Sequence, residues 1–321
     1  MPAQMTVNLW NRGSQSKFDR MPIHLDSRPI PRTNPRIGLA LSGGGAKSAA
    51  HIGVIQALLQ TGVLIDLVAG TSGGALAGLF LCDGHSPASM SRILKDELVI
   101  GRFWRMLPWG KYWQLSRLFR RGNLTQMLSR HIRARKFSEL RIPFFATATD
   151  LLSGERVVLQ DGDVVRAVMA SMSLPGLTPP VEHEGRRLVD GGVLHYIPAD
   201  VLRENGADIV IGVDLGGCNA PSDEWKNWNE GDGSLQVLRR AWAIQNRELA
   251  RRQLEEVDVV IRPEVNGFGI ADLLKMERLI DRGVEAGARA ASEIDHVISK
   301  WEARQRRKHV SAVQGRFEEA S

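Results

Sequence analysis

In Val68-Ala-Gly-Thr-Ser-Gly-Gly74 an apolar run ends at Ala69, and Ser72 then sits between Gly70 and Gly74. That is G-x-S-x-G at the end of a strand-like segment. It is the pattern of a sharp strand-to-helix turn that exposes a serine hydroxyl above a sheet. The glycines matter because such a turn needs backbone angles and clearances that side chains forbid. Helical signals follow in Ala75-Leu-Ala-Gly-Leu-Phe-Leu-Cys82. Ser72 is therefore expected at a helix N-terminus, where free N–H groups and the dipole favour developing negative charge. Glycine-rich turns also produce this pattern by chance, and the chain has 32 glycines in 321 residues. Alone, the motif makes Ser72 a candidate nucleophile.

A second glycine-rich turn lies upstream. Arg36-Ile-Gly-Leu-Ala-Leu-Ser42 reads as a buried strand, running into Gly43-Gly44-Gly45-Ala46-Lys47 and then a helix from Ser48 to Gln60. Strand, glycine turn, helix, strand, nucleophile turn, helix is the order of a parallel sheet. With right-handed crossovers, both turns fall at the carboxyl edge of that sheet. The amides of Gly43, Gly44 and Gly45 would then face the same crevice as Ser72, as an oxyanion site for acyl transfer requires. A phosphate-cradling loop would need glycine where Ala46 and Leu41 stand, and a dinucleotide fingerprint would need glycine at Ser48. A purely structural tight turn is the remaining alternative.

The third element is Leu188-Val-Asp-Gly-Gly-Val193. Asp190 ends a short apolar run and precedes Gly191 and Gly192, so its carboxylate can reach into a crevice from a loop. An Asx turn is the competing reading.

Together, Gly-Gly-Gly-Ala-Lys, Gly-Thr-Ser-Gly-Gly and Asp-Gly-Gly, in this order, resemble the patatin-like phospholipase family. Ala49-Ala-His-Ile-Gly-Val54, Ala146-Thr-Ala-Thr-Asp150 and Ala170-Ser-Met-Ser-Leu-Pro-Gly-Leu-Thr-Pro-Pro180 are similar to it as well, so the likeness spans residues 36–295. The resemblance implies a three-layer α/β/α fold with a mostly parallel central sheet. It implies Ser72 as nucleophile, Asp190 as its sole catalytic partner, and Gly43–Gly45 as the oxyanion turn. Lys47, Gly70, Gly74, Gly191 and Gly192 would support these motifs. The implied activity is hydrolysis of lipid acyl esters, phospholipids prominently, without calcium. Two positions depart from the family pattern. Ser48 stands where glycine is usual, and His195 and Tyr196 replace an Asp-Asn or Asn-Asn pair before Pro198.

A serine hydroxyl needs a base beside it. An unperturbed aspartate, with a pKa of about 3.9, is a poor one at neutral pH. An apolar crevice would raise that value and suit it to the task. Lys47 either orients the glycine turn, attracts a lipid phosphate, or is a solvated lysine at a helix start. A full Ser–His–Asp triad would draw on His51 or His195. The expectation is instead that His51 faces a helix surface or polar seam and that His195 is a loop residue. Two readings of other kinds stay open: an idle or regulatory lipid- or protein-binding member, and an esterase or thioesterase acting on soluble acyl substrates.

With 43% hydrophobic residues, the chain can bury one large α/β domain. The expected boundaries are a polar extension at 1–35, the catalytic domain at 36–303 and a frayed polar tail at 304–321. Cys82 and Cys218 give no disulfide framework, which fits a reducing compartment. No signal-peptide core is visible before residue 36. The run Leu67–Cys82 is too short and glycine-rich to span a bilayer. A cytoplasmic protein, peripheral at most at the inner face of a membrane, is expected. No calcium-loop spacing occurs, so neither metal nor cofactor is assigned.

Net charge is +6, and it is unevenly spread: from Leu98 to Ser138 there is no acidic residue. That stretch interleaves arginines and lysines with Trp104, Trp109 and Trp113. Such a pattern suits an anionic bilayer interface, so 101–121 is expected to be a membrane-docking or lid segment. An ordinary basic helix with core-facing aromatics is the alternative. A nucleic-acid surface lacks any accompanying fold signature. Of the remainder, 142–149, 156–160, 207–214 and 257–262 read as strands. Residues 163–171, 198–205, 235–255 and 270–301 read as helices. The stretch 216–234, with Trp225 and Trp228, has turn composition and suggests a loop near the site.

Overall fold

The computed structural model describes residues 34–99, 121–216, 234–268 and 272–319. Trp104, Trp109 and Trp113, with most of the 101–121 segment, lie outside them, as do the extension up to Thr33 and the 217–233 stretch.

The strands are β1 (Ile37–Leu41), β2 (Leu67–Thr71), β3 (Phe144–Asp150), β4 (Arg156–Leu159), β5 (Val181–His183), β6 (Arg186–Asp190), β7 (Ile209–Val213) and β8 (Val259–Ile261). They form one eight-stranded sheet in the order β5-β6-β3-β2-β1-β7-β8, with β4 also paired to β3. The β3-β2-β1-β7-β8 portion is parallel; β4 and β6 each pair antiparallel with β3, and β5 pairs antiparallel with β6. The helices are α1 (Ala49–Gln60), α2 (Gly73–Cys82), α3 (Pro87–Val99), α4 (Arg121–His131), α5 (Val164–Ser171), α6 (Ala199–Glu204), α7 (Ser234–Gln253) and α8 (Met276–Glu319).

Three layers follow from how the strands alternate. Ile37, Leu39 and Leu41 of β1 enter one apolar core, together with Ile209, Ile211 and Val213 of β7. Ala40 and Val210, from the same strands, enter a second core on the other face with Val201 and Leu202 of α6. Strands buried on both faces read as unbroken apolar runs, which is why β1 and β7 are legible in the sequence. The larger core lies under α1 and α8. These helices approach so closely that a Cβ at Gly53 would overlap the Ile280 carbonyl, and one at Gly283 would overlap the Ala50 carbonyl.

The sequence reading names no helix at α3 or α4, and two further elements differ from it. The β5–β6 hairpin is not signalled, because Glu182, Arg186 and Arg187 are charged and only Val181 and residues 188–190 are buried. The tail expected to fray from 304 instead continues α8 to Glu319. Its composition explains this: Ala, Glu, Gln and Arg are strong helix formers, and Glu302 pairs with Arg306 one turn on.

Candidate active site

Sheet register brings the candidate residues together. Leu41 of β1 pairs with Gly70 of β2, so Gly43 lies level with Ser72. A Cβ built on Gly43 would be 3.7 Å from the Ser72 Cβ. On β3, Thr147 pairs with Thr71 and the next residue, Ala148, pairs with Asp190. The ends of β2 and β6 therefore meet at one place on β3.

Ser72 has φ 55° and ψ −123° and precedes the first turn of α2. It is one of two non-glycine residues with positive φ among those described. This backbone is strained for a side chain and is held by its surroundings. Its N–H donates to Ser171 Oγ at 2.8 Å. Gly74 allows α2 to seat against β1, since a Cβ there would overlap the Leu41 carbonyl. At Gly70 a Cβ would lie 2.6 Å from the Ala75 nitrogen.

Asp190 is 1% exposed. Its Oδ1 accepts the Gly192 N–H at 2.8 Å, and its own N–H donates to Ser173 O at 2.8 Å. Burial pushes the carboxyl up to about 6, against the opposing pull of hydrogen bonds from Ser72 and Gly192. Oδ2 is buried with no hydrogen bond of regular geometry. Ser72 thus acts on the Asp190 carboxyl without a hydrogen bond of regular geometry. Gly191 lets the loop pass β3, where a Cβ would overlap the Thr147 carbonyl.

The glycine turn divides its roles. The Gly43 N–H donates to Tyr196 O at 3.2 Å, so this amide anchors the Asp190 loop. Gly44 and Gly45 open a one-turn 3-10 helix, Gly45–Ser48, whose first N–H groups have no partner within the helix. The Gly73 N–H at the start of α2 belongs to the same class. Gly45 has φ 57°, a left-handed angle that favours glycine. Lys47 points toward the end of β7, its Nζ 3.9 Å from where a Gly216 Cβ would be. Ser48 is buried, its Oγ 3.2 Å from the Gly44 Cβ position.

The two histidines are occupied elsewhere. His51 is fully buried, not at a helix surface, and its Nε2 lies 2.8 Å from Ser42 O. Burial lowers its pKa to about 4, against the Ser42 hydrogen bond, so it is neutral at pH 7. His195 is in the loop, 2% exposed, with Nε2 2.6 Å from Asp200 Oδ1. Burial alone would raise Asp200, but His195 and Arg156 hold it at about 2. Nδ1 of each ring is buried without a partner, so neither ring bridges Ser72 and Asp190.

Several supports carry no motif. Gln253 of α7 accepts the N–H groups of Tyr196 and Ile197 at 2.9 and 2.7 Å, and donates to Leu194 O. Gln245 of the same helix donates to Val193 O. Thr71 Oγ1 donates to His195 O at 2.8 Å and meets Thr147 Oγ1 at 2.7 Å. These bonds supply the loop support that the missing Asn pair left unexplained. Ser171 lies in a stretch similar to the family, Ala170–Pro180, yet nothing in that stretch marks it as the brace of the elbow. Gln253 ends a basic helix and has no local signal at all.

A strained serine elbow and a buried carboxyl thus sit together on the mostly parallel sheet of an α/β protein. The sequence model of the patatin-like phospholipase family matches residues 39–203, and the chain belongs to that family. It is 31% identical over 306 residues to patatin-like phospholipase domain-containing protein 7 of Mus musculus, covering 88% of this chain and 22% of the mouse protein. It is also 31% identical over 274 residues to an uncharacterized NTE family protein of Mycobacterium tuberculosis, covering 79% of this chain and 46% of the other. The chain thus spans less than half the length of either relative. Human GIVD cytosolic phospholipase A2 shares the fold, with a TM-score of 0.50 at 12% identity over 84% of this chain and 61% of that one.

Proposed function

We propose that this chain hydrolyses acyl esters of lipids, phospholipids among them, through a Ser72–Asp190 dyad. The observation that carries the reading is a strained Ser72 placed beside a carboxyl that burial has raised to about 6. An acid near neutrality can both take and return a proton at working pH.

In the first half-reaction, Asp190 takes the Ser72 proton as Oγ bonds to the acyl carbon. The carbonyl oxygen becomes an oxyanion facing the N–H groups of Gly44, Gly45 and Gly73. Removing one such donor typically costs about 10²- to 10³-fold in rate. Collapse breaks the ester bond, the leaving alcohol takes the proton from Asp190, and an acyl-serine remains. Water then repeats the sequence and releases the fatty acid. His195 holds the loop of Asp190 through Asp200 and moves no proton. Lys47, beside the glycine turn, orients that turn. The lipid would be met at an anionic membrane surface.

Labelling with a fluorophosphonate, compared between wild type and Ser72→Ala, tests the reading. Labelling that persists in Ser72→Ala, or never occurs in the wild type, sinks it. Comparing dispersed phospholipid with short-chain soluble esters then separates a lipid hydrolase from an esterase of soluble substrates.

A further inference from the structure

We propose that the outer face of α7, together with the Leu151–Leu152 turn, is a docking face for an anionic lipid surface. The inference rests on the lipid substrate proposed above and names the part of the chain that meets it.

Nine large apolar side chains are exposed among the described residues: Leu59, Leu64 and Leu274 lie elsewhere, and six lie on α7, in the Asp190 loop or just past β3. Leu151 and Leu152 are 53% and 63% exposed, and Val237, Leu238 and Ile244 are 47%, 48% and 52% exposed. Leu151 and Leu152 directly follow the carboxyl end of β3, which is parallel to β2. They therefore lie at the same sheet edge as Ser72. Leu194, in the loop after Asp190, adds a further exposed aliphatic at 37%.

α7 has two contrasting faces. Trp242, Asn246 and Gln253 turn inward: the Trp242 Nε1 is 3.7 Å from the Gly192 Cβ position, and Asn246 Oδ1 is 3.9 Å from it. Positions 237, 240, 244, 247 and 251 recur at spacings of three and four, which is one stripe of a helix. They hold Val237, Arg240, Ile244, Arg247 and Arg251. The helix carries five arginines and a single carboxylate, Glu248, which pairs with Arg251 and Arg252.

Aliphatic and cationic side chains along one stripe, exposed except at half-buried Arg240, are the composition of an interfacial helix on anionic lipid. Protein interfaces enrich aromatic side chains and methionine beside arginine, and this stripe holds neither. The helix that carries this stripe packs its opposite face on the Asp190 loop, so docking there brings that loop to the lipid surface.

Co-sedimentation of the full chain with vesicles tests this. The vesicles are phosphatidylcholine alone, or phosphatidylcholine mixed with phosphatidylglycerol. Binding should be about tenfold stronger to the mixed vesicles and should weaken as salt rises. The double variant Val237→Asp plus Ile244→Asp should lose about tenfold of that binding. Arg240→Gln plus Arg247→Gln should narrow the gap between vesicle types. Short-chain ester hydrolysis and the unfolding midpoint serve as controls and should not change in either variant. Wild-type-like binding by the Val237/Ile244 variant overturns the proposal. So does a wild type that ignores both vesicles, whether or not it captures an acidic protein. Vesicle binding that behaves as described, without any ester hydrolysis by the wild type, would instead overturn the acyl-hydrolase reading and leave the docking face standing.

Discussion

Ser72 and Asp190 reach the same edge of the sheet by opposite means. Ser72 is placed by its backbone: a strained φ of 55°, glycines at 70 and 74 that permit close approach, and the start of α2. Asp190 has ordinary backbone angles, φ −47° and ψ 131°. Its loop is placed by side chains from other elements: Gln253 of α7, Thr71 of β2 and, through His195 of the loop, Asp200 of α6. A residue placed by its own backbone carries its signature in neighbouring sequence. A residue placed by remote hydrogen bonds does not. Residues 171–173 brace both, since Ser171 Oγ takes the Ser72 N–H and Ser173 O takes the Asp190 N–H.

The largest effect expected is on turnover. Ser72→Ala should lower hydrolysis of a soluble ester by about 10³-fold or more, leaving what the oxyanion amides and binding supply. His51→Ala and His195→Ala, assayed beside it, should not approach that loss. A comparable loss in either would break the division of roles drawn here, by making a histidine the base.

Asp190→Asn separates the base from its burial. Turnover should fall about 10³-fold, yet the fold should become more stable at neutral pH. The carboxyl rises from an ordinary value near 3.8 to about 6 on folding, so ionising it disfavours the native state. A shift of roughly two units corresponds to about 3 kcal/mol at most. That cost is absent below about pH 4, grows between about 4 and 6, and is complete above. Urea unfolding should therefore show the variant more stable at pH 7 and equal to wild type near pH 4. In the wild type, kcat/KM should fall about tenfold per pH unit below an apparent pKa of about 6. A variant less stable than wild type at pH 7 would show that the charge is better compensated than its burial implies.

Gln253→Leu probes the remote support of the Asp190 loop. Two part-buried N–H groups, of Tyr196 and Ile197, would lose their acceptor. At about 1–3 kcal/mol per unsatisfied donor, the unfolding free energy should drop by about 2–4 kcal/mol. Activity should drop about tenfold in kcat with little change in KM, because the base is displaced and the binding surface is kept. Gln253→Glu, which keeps an acceptor, should recover much of the stability.

This contrast also explains what is legible in the sequence. The parallel core can be read because β1 and β7 are apolar throughout, β2 is apolar up to Ala69, and helices of ordinary length follow them. The nucleophile and glycine turns can be read because tight backbone geometry demands glycine at fixed spacings. Asp190 can be named only in company with them, since Asp-Gly-Gly is by itself a common turn. Its anchor Gln253 lies 63 residues further on, at the end of a basic helix, and only the packing of α7 against the loop shows its role. The sequence pattern leads one to expect the Gly43 amide at an oxyanion, but Tyr196 O already holds that N–H. That acceptor is a backbone carbonyl, so the course of the Asp190 loop sets the bond and no side-chain motif signals it.

The smallest effect isolates strain itself. Ser72→Gly and Ser72→Ala both remove the hydroxyl, but only glycine relaxes at φ 55°. Strain at such a position is about 1–3 kcal/mol, and glycine returns about 0.5–1 kcal/mol of that as unfolded-chain entropy. Ser72→Gly should therefore be more stable than Ser72→Ala by about 1 kcal/mol, a rise of about 2 °C in unfolding midpoint for a domain of this size. The same pair of substitutions at Ser171, which has ordinary helical geometry in α5, should reverse the order, with glycine the less stable by about 1 kcal/mol. Equal midpoints for the two Ser72 variants would mean that the elbow is not strained, and the serine would then be placed by its hydrogen bonds, as Asp190 is.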